Sequence, residues 1–298
     1  MKKIIAFLII ACFSIPQFAF AGAWTLPKNT VGLEQYMKVH WAKEDFGPDG
    51  DRRRFSRDAR SWGWGMASKV EYGLLENLTL MGSMEYKEDK YKEYARPTNW
   101  GTYSVQNHGI TNVDFGARLR LLEDPVVLSG QIKTSIYIPY DDLPLSDVAE
   151  APELHDRNNS VELRGLIGKY FDTAMPFYVG AEYGYRFKDH DVCNDIPFFI
   201  EVGCWPLDWL LLKTEIDGYW SHDGSGTKEE EYAIWRIGPS FQLLTLYDQL
   251  TGKEEISEHD ELAKKGQALN LELQYGNTIW GRNTTAYQEI VAKISARF

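Results

Sequence analysis

Beyond residue 22, apolar side chains recur at every second position rather than every third or fourth, and the charges keep the same beat. Val31, Leu33, Met37, Val39 and Trp41 share one parity, while Glu34, Tyr36, Lys38 and His40 take the other. A period of two belongs to the β-strand, whose successive side chains point to opposite faces. The rhythm returns near 62–72, 78–87, 110–121, 126–138, 160–170, 177–188, 198–204, 210–220, 233–243, 268–276 and 284–298. It predicts twelve strands and an all-β fold.

Charge is confined almost entirely to one parity. That parity carries Lys38, Lys69, Lys87, Arg118, Arg120, Lys133, Arg164, Arg186, Lys188, Lys213, Arg236, Lys293 and Arg297, with Glu34, Glu71, Glu85, Asp114, Glu162, Glu182, Glu201, Glu215, Asp217, Glu272 and Glu289. The apolar parity holds one clear charge, Lys169, near a strand end where a lysine can snorkel. A membrane barrel must keep one face of every strand free of charge to meet lipid. A dry sandwich core demands the same, so parity alone leaves both architectures open.

Three further features favour a single antiparallel transmembrane barrel over 22–298. Lys2 and Lys3 precede a 12-residue apolar run, Ile4 to Ile15, and then the small-x-small pattern Ala19-Phe20-Ala21. The run is too short for the roughly 20 residues of a membrane-crossing helix, and the pattern is that of a signal peptide, 1–21, with the mature chain starting at Gly22. Lipidation at Cys12 is the rival reading, weakened because the apolar run continues past it. Aromatic residues gather at both ends of the apolar face: Trp41, Trp62, Tyr86, Phe187, Trp220 and Trp235 toward one rim, Tyr72, Phe171, Phe177, Phe241 and Phe298 toward the other. Such rings suit the lipid headgroup boundary. Finally, the chain stops on Phe298 after an alternating strand, which resembles the signal read by the barrel-assembly machinery of bacterial outer membranes.

The balance of 32 basic against 43 acidic residues, a net charge of −11, excludes a basic nucleic-acid-binding surface. Three cysteines in 298 residues exclude a disulfide framework. Only Cys193 and Cys204 survive signal removal, and a strand between them would hold the sulfurs far beyond bonding reach, so both are expected as free thiols.

Short connections around 75–77, 123–125, 172–174 and 206–208 follow every second strand, and longer polar stretches lie near 42–57, 88–108, 139–158, 189–196 and 222–231. That asymmetry assigns the short turns to the periplasm and the long loops to the outside. Residues 244–267 break the rule: a long, charged connection on the periplasmic side, read either as an amphipathic helix at the barrel mouth or as an error in the strand count.

Several segments resemble a loosely defined family of bacterial outer-membrane proteins described as transporters or as components of a meta-pathway of phenol degradation. The resemblance rests on Gly22-Ala23-Trp24-Thr25-Leu26-Pro27-Lys28, Asp49-Gly50-Asp51-Arg52-Arg53, Gly180-Ala181-Glu182-Tyr183-Gly184-Tyr185-Arg186, and Glu201-Val202-Gly203 leading into Pro206 and Leu210. It implies a barrel distantly related to hydrophobic-compound uptake channels and supplies no catalytic residues.

The function expected is a passive conduit for a small solute, with Arg118, Arg120, Arg164 and Arg186 facing Glu182, Glu201, Glu215 and Asp217 to orient it. The alternative is a structural or surface-interaction barrel whose lumen is plugged by salt bridges. Partners expected are outer-membrane lipid and lipopolysaccharide, the assembly machinery through Phe298, and a small-molecule solute. Catalysis is not expected, because of the histidines only His40 falls on an expected strand, and His222-Asp223-Gly224-Ser225 reads as a turn. Asp189-His190-Asp191 with Cys193 reads as a charged loop rather than a metal site, and no cofactor is expected.

Overall fold

A computed structural model describes residues 22–96, 99–139, 154, 158–189, 192–222, 229–246 and 268–298. The expected signal segment 1–21 and most of the connection 244–267 lie outside the described residues, although 243–246 are helical. The strands are β1 (Val31–Ala42), β2 (Glu44–Phe46), β3 (Arg52–Arg54), β4 (Arg60–Leu75), β5 (Leu78–Arg96), β6 (Asn99–Leu122), β7 (Val127–Tyr137) and β8 (Ser160–Phe171). There follow β9 (Phe177–Lys188), β10 (Asn194–Leu207), β11 (Leu210–His222), β12 (Glu231–Gln242), β13 (Ala268–Arg282), β14 (Thr284–Thr285) and β15 (Gln288–Arg297).

Twelve of these close a barrel in the order β1-β15-β13-β12-β11-β10-β9-β8-β7-β6-β5-β4, with β4 returning to β1. Every neighbouring pair is antiparallel, so each strand joins the next in sequence and the last closes on the first, from Gly32↔Arg297 to Trp41↔Gln288. Closure leaves no open edge, which is what hydrocarbon requires of a sheet.

Burial decides between sandwich and membrane barrel. Pointing outward and exposed are Met37 (49%), Ile132 (47%), Leu163 (48%) and Ile290 (53%), whereas Glu162, Asp195 and Glu201 are each 1% exposed on the inner face. A protein folded in water would reverse that arrangement, because an apolar belt of this extent could not stay wet. The outer wall therefore meets lipid, and the charged parity lines the lumen. Lys169 is exposed on the outer face with its ammonium 5.5 Å from the Phe171 ring centroid, as expected near a strand end.

Two expectations need correction. The polar stretch 88–108 is not a loop: β5 and β6 run to Arg96 and from Asn99, so their hairpin continues beyond the apolar zone. Outside hydrocarbon a strand needs no apolar side, and the alternation that reveals strands disappears there. Consequently His108 lies on β6, and His222 closes β11, so His40 is not alone among the histidines on a strand. The last strand does not begin at 284. Asn283 adopts a left-handed conformation (φ 50°), and β14 leaves the barrel to join β2 and β3 in a small three-stranded sheet. Cys193 and Cys204 are free thiols, with Cys204 in β10.

Candidate functional site

The inner wall is built from ion pairs. Glu162 on β8 receives Arg164 at 2.6 Å and Arg186 at 2.7 Å; Arg164 also reaches Glu182 at 2.9 Å, and Arg186 reaches Asp195 at 3.2 Å. On the adjoining arc, Lys213 sits among Glu201 at 2.8 Å, Glu215 at 3.1 Å and Glu272 at 3.0 Å. Arg236 spans Glu215 at 3.2 Å, Asp217 at 3.5 Å and Glu289 at 2.5 Å. The Tyr178 hydroxyl donates to Glu201 at 2.6 Å.

The direction of these contacts matters more than their number. Each joins residues on one strand, on adjacent strands, or on strands one apart, as Lys213 of β11 does with Glu272 of β13. Arg118 of β6 and Glu71 of β4, 3.6 Å apart, follow the same rule. The pairs run along the wall rather than across the bore. They neutralise charge where it is buried and, among the described residues, do not bridge the bore.

The periplasmic end is occupied by a segment that strand periodicity could not reveal. Residues 22–30 precede β1 and lie against the inner wall, crossing several strands. Leu26 N–H donates to Thr79 Oγ1 at 2.8 Å, Thr25 Oγ1 to the Glu76 carbonyl at 3.2 Å, and Asn29 N–H to the Gly73 carbonyl at 2.7 Å. Arg118 Nη1 donates to the Trp24 carbonyl at 3.0 Å, and Ser129 Oγ donates to the Ala23 carbonyl. Trp24 packs against the buried pair Tyr178 and Trp205, which Tyr170 and Leu211 also flank, and Ala23 packs with Val127 and Leu166. Two glycines make room: a methyl on Gly168 would overlap the Trp24 ring, and one on Gly73 the Pro27 carbonyl. We call 22–30 the strap.

Between wall and strap lies a cavity of about 670 Å³. Charged groups line it together with the aromatic rings of Trp24, Tyr178, Phe199, Trp205 and Trp209. The volume falls in the range of small-molecule sites, and the lining mixes apolar surface with a few polar groups.

Of the eight residues singled out from sequence, Arg118, Arg164, Glu182, Glu201 and Asp217 border this cavity. Arg186 and Glu215 are engaged in the wall networks above. Arg120 sits at the periplasmic turn, donating to the Glu76 carbonyl at 3.0 Å and pairing with Glu123 at 3.3 Å. The eight do not form one facing set: Arg164 and Arg186 have their partners on β8, β9 and β10, Glu201 and Glu215 share Lys213, and Arg118 holds the strap. Lys213 and the aromatic group around Trp24 were not among them. Lys213 was legible as an inward charge; the aromatic group was legible only as the tryptophan-bearing stretch before the first strand.

Toward the outer mouth, His40 Nε2 and Asp89 Oδ1 lie 2.7 Å apart, both buried, and the imidazole meets the Tyr287 ring edge-on with centroids at 4.8 Å. Burial, reinforced by Asp89, pushes the Tyr287 hydroxyl up to about 12. It therefore stays a neutral donor at physiological pH. Among the described residues no group of three or more His, Cys, Asp or Glu is placed to hold a metal, and His190 and Asp191 lie outside them.

Compared with solved structures, the chain is similar to an outer membrane channel of the COG4313 type from Pseudomonas putida F1. The TM-score is 0.61 at 11% identity, covering 94% of this chain and 100% of that one. The shared fold is that of an outer-membrane β-barrel. At lower scores the chain also aligns with the translocator domain of the autotransporter NalP from Neisseria meningitidis, with TM-score 0.46, 9% identity and coverage of 91% and 88%. The toluene transporter TodX from Pseudomonas putida aligns with TM-score 0.37, 10% identity and coverage of 96% and 92%. No family model matches the chain, and no curated protein matches its sequence. Closed topology, an apolar outer wall and this similarity place the chain in the bacterial outer membrane.

Proposed function

We propose that the chain is a passive channel carrying a small solute, apolar or aromatic in part, across the outer membrane. The observation that carries the reading is the orientation of the ion pairs: they lie in the wall and border a cavity of about 670 Å³ instead of bridging it. In this reading the aromatic group of Trp24, Tyr178 and Trp205 offers flat apolar contacts at the periplasmic end. Arg118, Arg164, Glu182, Glu201 and Asp217 contact the solute from the polar side. Arg120, Arg186 and Glu215 support that lining through the turn and the wall networks. The solutes attached to the names of similar barrels, toluene among them, supply the class to test first.

The strap favours a second reading, a barrel closed at its periplasmic end that serves structure or surface contact. Single-channel recording in planar bilayers separates the two. The channel reading expects discrete conductance from the full chain, reduced selectively by an aromatic solute. Silence from a correctly folded chain, persisting after residues 22–27 are removed, would establish the second reading.

A further inference from the structure

The strap follows the inner wall strand by strand, and the order of its contacts leads to its first residue. From Asn29 back to Ala23, Asn29 N–H meets the Gly73 carbonyl near the end of β4, Leu26 N–H meets Thr79 of β5, the Trp24 carbonyl meets Arg118 of β6, and the Ala23 carbonyl meets Ser129 of β7. The Trp24 ring covers Gly168 of β8. Gly22 comes next, buried and bordering the cavity, and its neighbour belongs to β9. A side-chain carbon built on Gly22 would stand 3.5 Å from Glu182 Oε1, and no other described group beyond the chain neighbours comes within 4 Å of it.

Glu182 has a vacant oxygen. Arg164 Nη1 donates to Oε2 at 2.9 Å, and that guanidinium is shared with Glu162 at 2.6 Å. Oε1 has no hydrogen-bond or ion-pair partner among the described residues, although the side chain is only 12% exposed. A carboxylate held there is stabilised by a second cation.

The sequence supplies that cation independently. Ala19-Phe20-Ala21 is the pattern that precedes hydrolysis of the Ala21–Gly22 amide. The hydroxyl of water goes to the Ala21 carboxyl, and Gly22 keeps its nitrogen as a primary amine. Such an α-amine, with an ordinary pKa of about 7.7–8.0, takes a proton at neutral pH. Before cleavage the same atom is an uncharged amide. It is bonded at about 1.46 Å to the Cα that faces Glu182, and once free it turns about the Cα–C bond.

We propose that the α-ammonium of Gly22, created by signal removal, pairs with Glu182 and locks the tip of the strap onto β9 at the edge of the cavity. Processing thereby adds a fixed positive charge to the cavity lining. The pairing stands on the strap contacts and the cleavage pattern rather than on the channel reading, so it holds whether the barrel conducts or not.

The test uses the full processed chain purified from outer membranes in detergent, with heat-modifiable gel migration verifying that each variant is folded. Intact-mass measurement is expected to show a chain beginning at Gly22; any other first residue overturns the proposal. An amine-reactive ester is then applied at neutral pH, and peptide mass spectrometry follows labelling of the Gly22 amine against that of Lys28, exposed in the same strap. Glu182→Gln is expected to speed labelling of the Gly22 amine at least about tenfold, because the pair both protonates and shields it. Glu44→Gln, in the small sheet of β2 and β3, is the control and leaves the rate unchanged. A second variant spares the Glu182–Arg164 pair: two serines inserted between Ala21 and Gly22 carry the amine away from the carboxylate. This amine should label as fast as that of Glu182→Gln, with no further gain when the two changes are combined. Equal rates in the parent and the insertion variant would overturn the proposal even if Glu182→Gln failed to fold. So would equal rates in the parent and Glu182→Gln, or gains that add in the combined variant, since Glu182 would then hold the strap without pairing the amine.

Discussion

The two faces of the barrel wall differ more than any two segments of the chain, although the same strands carry both. On β8, Leu163 and Ile167 look outward, while Glu162 and Arg164 look inward with 2.6 Å between their charged atoms. The outward positions succeed by having nothing to satisfy. The inward positions succeed because each charge has been given counter-charges on its own or nearby strands. The rule of alternation is the same on both faces, but its failure modes are opposite: a charge added outside lacks a partner, and a charge removed inside leaves one stranded.

The inner face should suffer most. Lys213→Met leaves Glu201, Glu215 and Glu272 buried around a missing cation, and unfolding in lipid vesicles is expected to show a loss of about 3–5 kcal/mol. A loss below about 1 kcal/mol would show that water, not Lys213, satisfies those carboxylates. Next comes the outer face: Leu163→Arg should cost about 2–4 kcal/mol in the same assay, whereas a neutral result would mean that this position is wet. Removing residues 22–27 sharpens the contrast within the lumen, because it strips the strap while sparing the wall. Conductance should rise by about twofold or more, since obstruction at a constriction governs passage. The smallest effect is expected at the outward polar pair in which Ser68 Oγ donates to Gln35 Oε1 at 2.5 Å. Ser68→Ala alone should destabilise by about 0.5–1.5 kcal/mol, and pairing it with Gln35→Leu should restore stability, measured by the same unfolding curve.

Much of this architecture was readable in the sequence, for reasons visible at particular residues. Alternation from Val31 to Trp41 fixes both the strand and its two faces, and the twelve-strand count follows from its recurrence. The signal fades where hydrocarbon ends. From Glu88 to Lys92 both parities are polar or aromatic, so β5 looked like a loop although it remains paired to β4 through Arg60↔Lys92. The departure of Thr284 and Thr285 from the last barrel strand was hidden because β-branched residues favour a strand, which they do form, paired with β2 instead. The strap carries no period, and its destination depends on space left by Gly168 and Gly73, far from it in sequence. Inward charges were recognisable one by one, but their partners were not: Arg118 meets Glu71 because the register of the β4-β5-β6 meander sets them one two-residue step apart across β5.

Paramagnetic accessibility of nitroxide labels tests the whole account most directly, with single labels placed in turn at Gln131, Ile132, Leu163, Arg164, Ile200 and Glu201 of the reconstituted chain. Ile132, Leu163 and Ile200 should be open to oxygen dissolved in hydrocarbon and closed to an aqueous nickel complex, and their immediate neighbours should show the reverse or contact neither. Labels at all six positions reporting the same environment, or the three apolar positions reporting water, would contradict a barrel wall with lipid on one side and a charged lumen on the other.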